Sequence, residues 1–199
     1  MKKGMPLSFP DGPLADHAPF ALLPPAHGSD ADKVCLVLTL VHSSFEPVPN
    51  ADYVIPVEID TILYNVYVCK RPGCDEFLER MGRWFEVVVF TASLAKYANP
   101  LLDKLDPKGI IKHRLFREAC VYHQGSYVKD MSIMGRDIRR IIIVDNSPAS
   151  FMFQPESALG CSSFVDQMDD KELWAIGDFL ERLKDAPDVR TELSAWVIP

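Results

Sequence analysis

Lys33-Val-Cys-Leu-Val-Leu-Thr-Leu-Val-His-Ser-Ser44 decides the fold. Val34 to Leu38 is an unbroken apolar run, the pattern of a central strand buried on both faces of a parallel sheet. Thr39, Leu40, Val41, His42, Ser43 and Ser44 follow at once. In an open α/β sheet the carboxyl end of such a strand is where ligands sit and reactive groups are displayed. Here that end carries no carboxylate, no Gly-rich loop and no lysine.

Two further runs share this character. Phe85 to Phe90 ends in Thr91-Ala92-Ser93, and Arg140 to Val144 ends in Asp145-Asn146-Ser147-Pro148. Helical patterns alternate with these strands. Phe77, Leu78 and Met81 follow Arg71-Pro72-Gly73, with Asp75 and Glu76 in the favourable first turn. Leu94, Tyr97, Leu101 and Leu105 make a second stripe, and Pro100 is expected to kink or split that helix. A last amphipathic helix has a capping-box-like start at Asp169 and Glu172. Its apolar face is Leu173, Trp174, Ile176, Phe179, Leu180 and Leu183. Tyr53–Ile59 and Ile62–Val68 read as a hairpin turning at Asp60-Thr61, with Pro56 suited to an edge strand. Arg114–Arg117 and Val121–Val128 read as short strands, the latter turning at Gln124-Gly125. The whole predicts an α/β domain: a parallel sheet with crossover helices and a small β-hairpin insertion.

A chain of 199 residues with 48% hydrophobic and 25% charged residues has the composition of a globular domain. The net charge of -7 disfavours direct binding to nucleic acid or to an acidic membrane surface. No apolar run is long enough to span a bilayer, and no apolar core follows Lys2 and Lys3 as in a secretory signal. The five cysteines, Cys35, Cys69, Cys74, Cys120 and Cys161, are scattered, as expected of reduced thiols. Residues 1–32 read as a disordered Pro-rich leader, in which Leu22-Leu23-Pro24-Pro25 is taken as solvated linker. The folded part runs over 33–190, and 191–199 is a C-terminal tail.

The strand-end rule brings together Thr39, Ser43 and Ser44, Thr91 and Ser93, and Asp145 and Asn146, with Lys129 able to reach in. Hydroxyls beside helix-start N–H groups suit a phosphate, a lysine neutralises its charge, and Asp and Asn oxygens suit Mg2+. Taken singly, each has an ordinary reading as a turn, cap or surface residue. Only their convergence makes a site.

Thr39–Phe45, Val57-Glu-Ile-Asp60, Lys70-Arg-Pro72, Phe90–Tyr97, Tyr127-Val-Lys-Asp130 and Asp145–Ser150 resemble motifs of the small C-terminal-domain phosphatases. These form the FCP/SCP branch of the haloacid dehalogenase superfamily, and the likeness runs in order over about residues 33–190. The resemblance implies a haloacid-dehalogenase-like, Rossmannoid sheet and a nuclear protein, with the cytoplasm as a second location. It also implies a Mg2+-dependent phosphatase of phosphoserine and phosphothreonine in Pro-containing protein tails, such as that of RNA polymerase II. In that family a strand-end aspartate attacks phosphorus, and a second aspartate two residues on protonates the leaving group and then activates water. Carried over by motif, Thr91 and Lys129 bind phosphate, and Asn146 with Asp145 serves the metal. Phe45, Val57, Ile59, Val66, Leu94 and Tyr97 line an apolar peptide slot, with Arg117 near it.

The departure lies in the opening stretch. The family pattern has Asp-Leu-Asp-Glu between the apolar run and Thr-Leu-Val-His-Ser-Ser, whereas here Leu38 joins Thr39 directly. Both catalytic aspartates are missing. If the strand keeps its register, Thr39 takes the nucleophile's place and Val41 the acid's. If Thr39–Ser44 keep theirs, Cys35 and Val37 land there instead, and the central strand becomes Asp30–Val34, too polar to bury. The first register is favoured, and neither supplies a carboxylate. The expectation is an inactive, phosphopeptide-binding member of the family with weakened Mg2+ binding. The alternative is an active phosphatase whose four residues are lost through a splice or gene-model difference. A third possibility is a shortened form with a weakened fold.

Overall fold

The computed structural model describes residues 21–39 and 41–197. In chain order the elements are β1 (Val34–Leu38), β2 (Val41–Ser44), β3 (Tyr53–Ile59), β4 (Ile62–Lys70), α1 (Cys74–Trp84), β5 (Phe85–Phe90), α2 (Ala95–Leu105), β6 (His113–Leu115), β7 (Val121–His123), β8 (Ser126–Val128), β9 (Ile141–Asp145), β10 (Ala158–Gly160), α3 (Glu172–Glu181) and α4 (Arg190–Leu193).

The main sheet has the order β10-β9-β1-β5-β6, and each of its pairings is parallel. β1 is central, with Leu38 opposite both Val89 and Val144. All five of its residues are buried, as are all of β5 and β9. Side chains alternate between the two faces. Val34, Leu36 and Leu38 pack with Phe77, Met81, Leu102 and Ile176 of α1, α2 and α3. Cys35 and Val37 pack on the other face with Phe90, Met131, Met134 and Leu23. The favoured register is therefore the one adopted, and the polar Asp30–Lys33 stays outside the sheet.

The insertion is larger than the hairpin expected. β2 adds to it, giving an antiparallel sheet β2-β4-β3 in which Val41 pairs with Lys70. Asp60 and Thr61 turn the hairpin with φ of 49° and 67°, the left-handed pair of a tight two-residue loop. Pro56 sits on the edge strand β3, where its missing N–H costs no ladder bond.

Four expectations need correction. Pro100 does not split its helix, because buried Ala98, Leu101, Leu102 and Leu105 hold both halves of α2 against the core. The capping box at Asp169 does not form. Lys171 is the N-cap residue, and Asp170 Oδ1 accepts the Glu172 N–H at 2.9 Å. Trp174 is not part of the buried face; it is 39% exposed and its indole N–H donates to Glu76. The tail 191–199 includes buried Leu193, and the Trp196 ring lies 5.2 Å from that of Phe179, so packing continues past residue 190.

Leu22-Leu23-Pro24-Pro25 is likewise no solvated linker. The Leu22 N–H donates to Ile133 O at 2.8 Å, and the Leu23 side chain is 3% exposed. Residues 1–20 of the Pro-rich leader lie outside the described residues. Leu23→Ala is expected to cost ~2–3 kcal/mol, the lower part of the Leu→Ala range, because the pocket sits at the core's margin. Urea unfolding measures it; a loss below ~0.5 kcal/mol, within the scatter of surface substitutions, would mean the segment does not dock.

Candidate active site

Three strand ends and one hairpin build the site. Thr39 follows β1, and its N–H continues the ladder to Val144 O at 3.2 Å. Thr91 follows β5, with its N–H on Leu115 O at 2.9 Å. Asp145 closes β9. Lys129 leaves the β7–β8 hairpin, whose Gln124-Gly125 turn has φ of 48° and 83°. The Lys129 N–H donates to Ser150 O at 2.8 Å, which aims the side chain inward.

The centre is a closed trio. Lys129 Nζ donates to Asp145 Oδ2 at 2.5 Å and to Thr39 Oγ1 at 3.1 Å, and Thr39 Oγ1 donates to the same Asp145 Oδ2 at 3.0 Å. The Lys129 and Asp145 side chains are only 4% and 3% exposed. Asp145 Oδ1 accepts the Ser147 N–H at 2.8 Å. The carboxylate nearest Thr39 is thus already shared with an ammonium, and taking the threonine proton would break that buried pair. A hydroxyl so held is not an activated nucleophile.

Thr91 and Thr39 line one cavity of about 250 Å³ with Ser43, Ser93 and Tyr97 at its polar side. Thr91 Oγ1 accepts the Ser93 N–H at 3.1 Å, leaving its own proton free to donate. Ser43 hydrogen-bonds the Tyr97 phenol, whose pKa is pushed up by burial. Ser44 is not in the site; its hydroxyl accepts the Glu46 N–H in a local turn. Cys35, the nucleophile of the rejected register, is fully within the core, and burial and nearby Glu86 raise its thiol pKa far above the usual range. Cys120 lies beside Thr91 O, its thiol pushed up to about 11 by burial. The described cysteines are all free thiols.

The slot residues divide. Val57 and Val66, each 4% exposed, are core between the insertion and α2, packed with Ile55, Val68 and Leu101 and flanked by Ile59 and Tyr97. Phe45 is 61% exposed and meets Tyr64 edge-on at 6.0 Å. Leu94 stands half-exposed at the N-cap of α2. Arg117 is outside β6, in a short helical turn. Its Nε donates to Ala92 O at 2.6 Å and its guanidinium lies 5.0 Å over the Tyr127 ring.

The donor set offers Mg2+ little: the end of β1 brings no carboxylate, and Asp145 spends Oδ2 on Lys129 and Thr39. Both oxygens of Asp145 have partners, and the Asn146 side-chain N–H donates to Ser163 Oγ at 2.8 Å. Among the described residues no three His, Cys, Asp or Glu side chains group to hold a metal. Mg2+ takes a near-octahedral shell of one or two carboxylates, waters and substrate oxygens, and here only Asp145 Oδ1 keeps a carboxylate lone pair, with its other one on the Ser147 N–H. Sequence reasoning also missed Arg71, 4% exposed, which ties Asp170 (2.6 Å), Glu172 (2.5 Å) and Ser162 O (3.0 Å) to the base of the insertion. Its only signal was its place in Lys70-Arg-Pro72.

Residues 35–190 match the model of the family described as NLI interacting factor-like phosphatase. The chain belongs to that family. It is 56% identical over 176 residues to human "Carboxy-terminal domain RNA polymerase II polypeptide A small phosphatase 1", a match covering 86% of this chain and 67% of that protein. It is 53% identical over 182 residues to the mouse small phosphatase 2, covering 89% and 67%. It is 48% identical over 185 residues to "Phosphatase Herzog" of Drosophila melanogaster, covering 91% and 52%. The chain thus spans two thirds or less of these relatives' lengths. Among solved structures an essential RNA polymerase II CTD phosphatase aligns with a TM-score of 0.58 at 14% identity, over 76% of this chain and 48% of that one. The phosphatase fold is shared: a haloacid-dehalogenase-like parallel sheet with a small antiparallel insertion. Among the described residues, no helix of this family member is long and apolar enough to cross a membrane.

Proposed function

We propose that this chain is a phosphoserine-peptide-binding member of the family that does not itself hydrolyse the phosphate. The observation that carries the reading is the end of β1, where a Thr39 hydroxyl bonded to Lys129 and Asp145 stands at the strand end without a carboxylate of its own. In-line attack on phosphorus needs a free nucleophile there, and departure of the serine oxygen needs an acid two residues on. Val41 has no proton to give.

Binding asks less. The Thr91 hydroxyl, the third Lys129 proton and the start of α2 all favour a phosphate anion. Phe45, Tyr64, Leu94 and Tyr97 offer apolar surface for a proline beside it, over a floor of Ile59, Val57 and Val66. The partner class is a phosphoserine- and proline-containing protein tail like that of RNA polymerase II, met in the nucleus, with no direct contact to nucleic acid. The domain is built on residues 33–190, and Leu23 on one side and Leu193 and Trp196 on the other pack into it. A second reading, an active phosphatase once the four residues are supplied, is favoured by the retention of Thr91, Lys129, Asp145 and Asn146.

The test is fluorescence anisotropy with a labelled Ser-Pro peptide, phosphorylated and not. The phosphorylated form should bind at least ~10-fold more tightly, and Thr91→Ala should remove about that factor, the worth of one hydrogen bond to a charged group. Equal binding of the two peptides would refute the reading.

A further inference from the structure

We propose that the cavity between α2 and the carboxyl ends of β1 and β5 is a binding pocket for a small aromatic acid, with the ring buried and the carboxylate at the hydroxyl rim. The proposal stands apart from the phosphopeptide reading, because the apolar floor that carries it takes no part in that reading.

The floor comes from two layers. Leu38 and Val89 are directly paired near the ends of β1 and β5. Ala98, Leu101, Leu102 and Leu105 recur at helical spacing along one face of α2. All six line the cavity of about 250 Å³. The helix does not settle into this gap, because the insertion holds it at three points. Leu101 packs with Ile55, Val57, Val66 and Val68. The Tyr53 hydroxyl donates to Lys104 O at 3.3 Å, and Lys96 Nζ donates to Glu58 O at 2.8 Å. The six side chains offer water no hydrogen bond, and a trapped water needs roughly two to four. Water there is poorly held, so an apolar body displaces it at a gain. A dry apolar cavity of about 150 Å³ binds benzene, so this one has room for a bicyclic ring. Tyr97 lines the same cavity and gives that ring an aromatic neighbour, its phenol held by Ser43. The rim fixes the other end of the ligand. The Thr91 hydroxyl keeps its proton to donate, since its oxygen accepts the Ser93 N–H. Ser93 brings a second hydroxyl to the cavity. The α2 helix starts at Ala95 with no side-chain cap and no acidic residue in its first turn, so the field at the rim favours an anion.

Calorimetry and saturation-transfer NMR with 2-naphthoate, on the whole chain and without peptide, decide it. The acid should bind one-to-one with a dissociation constant of about 0.1 mM or lower, the ordinary yield of a ligand of that size. Ala98→Leu puts a larger side chain into the gap and should weaken binding at least ~10-fold while the melting temperature holds. Thr91→Ala should cost about tenfold, the worth of one hydrogen bond to a charged group. Leu63→Ala, at the exposed tip of the insertion, should change nothing. Should Ala98→Leu fail to fold, Val89→Ile narrows the cavity from the sheet side by one methylene and should weaken binding about threefold. No binding at millimolar 2-naphthoate would overturn the proposal, and so would binding that neither cavity-filling variant changes. Phosphopeptide anisotropy tests the functional reading separately, so either can fail alone.

Discussion

Inserting Asp-Leu-Asp-Glu between Leu38 and Thr39 is expected to raise turnover of a phosphoserine-proline peptide in Mg2+ by ~10⁴-fold or more, the upper range of acid–base catalysis with a nucleophile added. The rest of the chemistry has stayed in place. β1 lies between β5 and β9 in ordinary parallel register, so a residue placed after Leu38 emerges level with Phe90 and Asp145, one position before Thr91. A carboxylate there would compete with Asp145 for Lys129 and release one oxygen of Asp145 for a cation. The second inserted carboxylate would supply the proton that Val41 cannot. The insertion also moves Thr39 away from the pair it now bridges. Phosphate release from the peptide measures the gain. If the inserted chain folds, binds Mn2+ and still fails to turn over, the missing aspartates are not what disables this site.

Lys129→Met should be the most destabilising single change in the site. It leaves the Asp145 carboxylate, 3% exposed, without its cation, and breaking one side of a buried pair costs ~3–5 kcal/mol. For a domain of this size that is roughly a 10 °C fall in melting temperature. Adding Asp145→Asn should return most of the loss, since removing both charges together leaves no buried ion unpaired. If Lys129→Met alone is neutral, the pair is open to water and the sealed trio is wrong.

What the sequence made legible follows from which forces are local. The buried strands declared themselves as unbroken apolar runs, because a central parallel strand has no polar face to show. Their ends then named Thr39, Thr91 and Asp145. The tight turn at Asp60-Thr61 was readable from the β-rich runs on either side, although neither turn residue is glycine. Glu172 was misread as a capping residue because its true partner, Arg71, lies 101 positions away. Leu22 and Leu23 were misread because a short apolar pair before two prolines says nothing about the groove that receives it. That groove is made by Met131 and Met134, far along the chain. The metal question was the hardest to read. Residue types gave a pair of oxygen ligands, and only side-chain geometry revealed that Asp145 Oδ2 was committed to Lys129 and Thr39.

The neck of the insertion has a mechanical consequence. β2 leaves Thr39 after one intervening residue, and its first residue, Val41, is laddered to Lys70 at the end of the returning strand. The two strands are therefore strapped together at the neck, and Arg71 bolts the returning one to the base of α3.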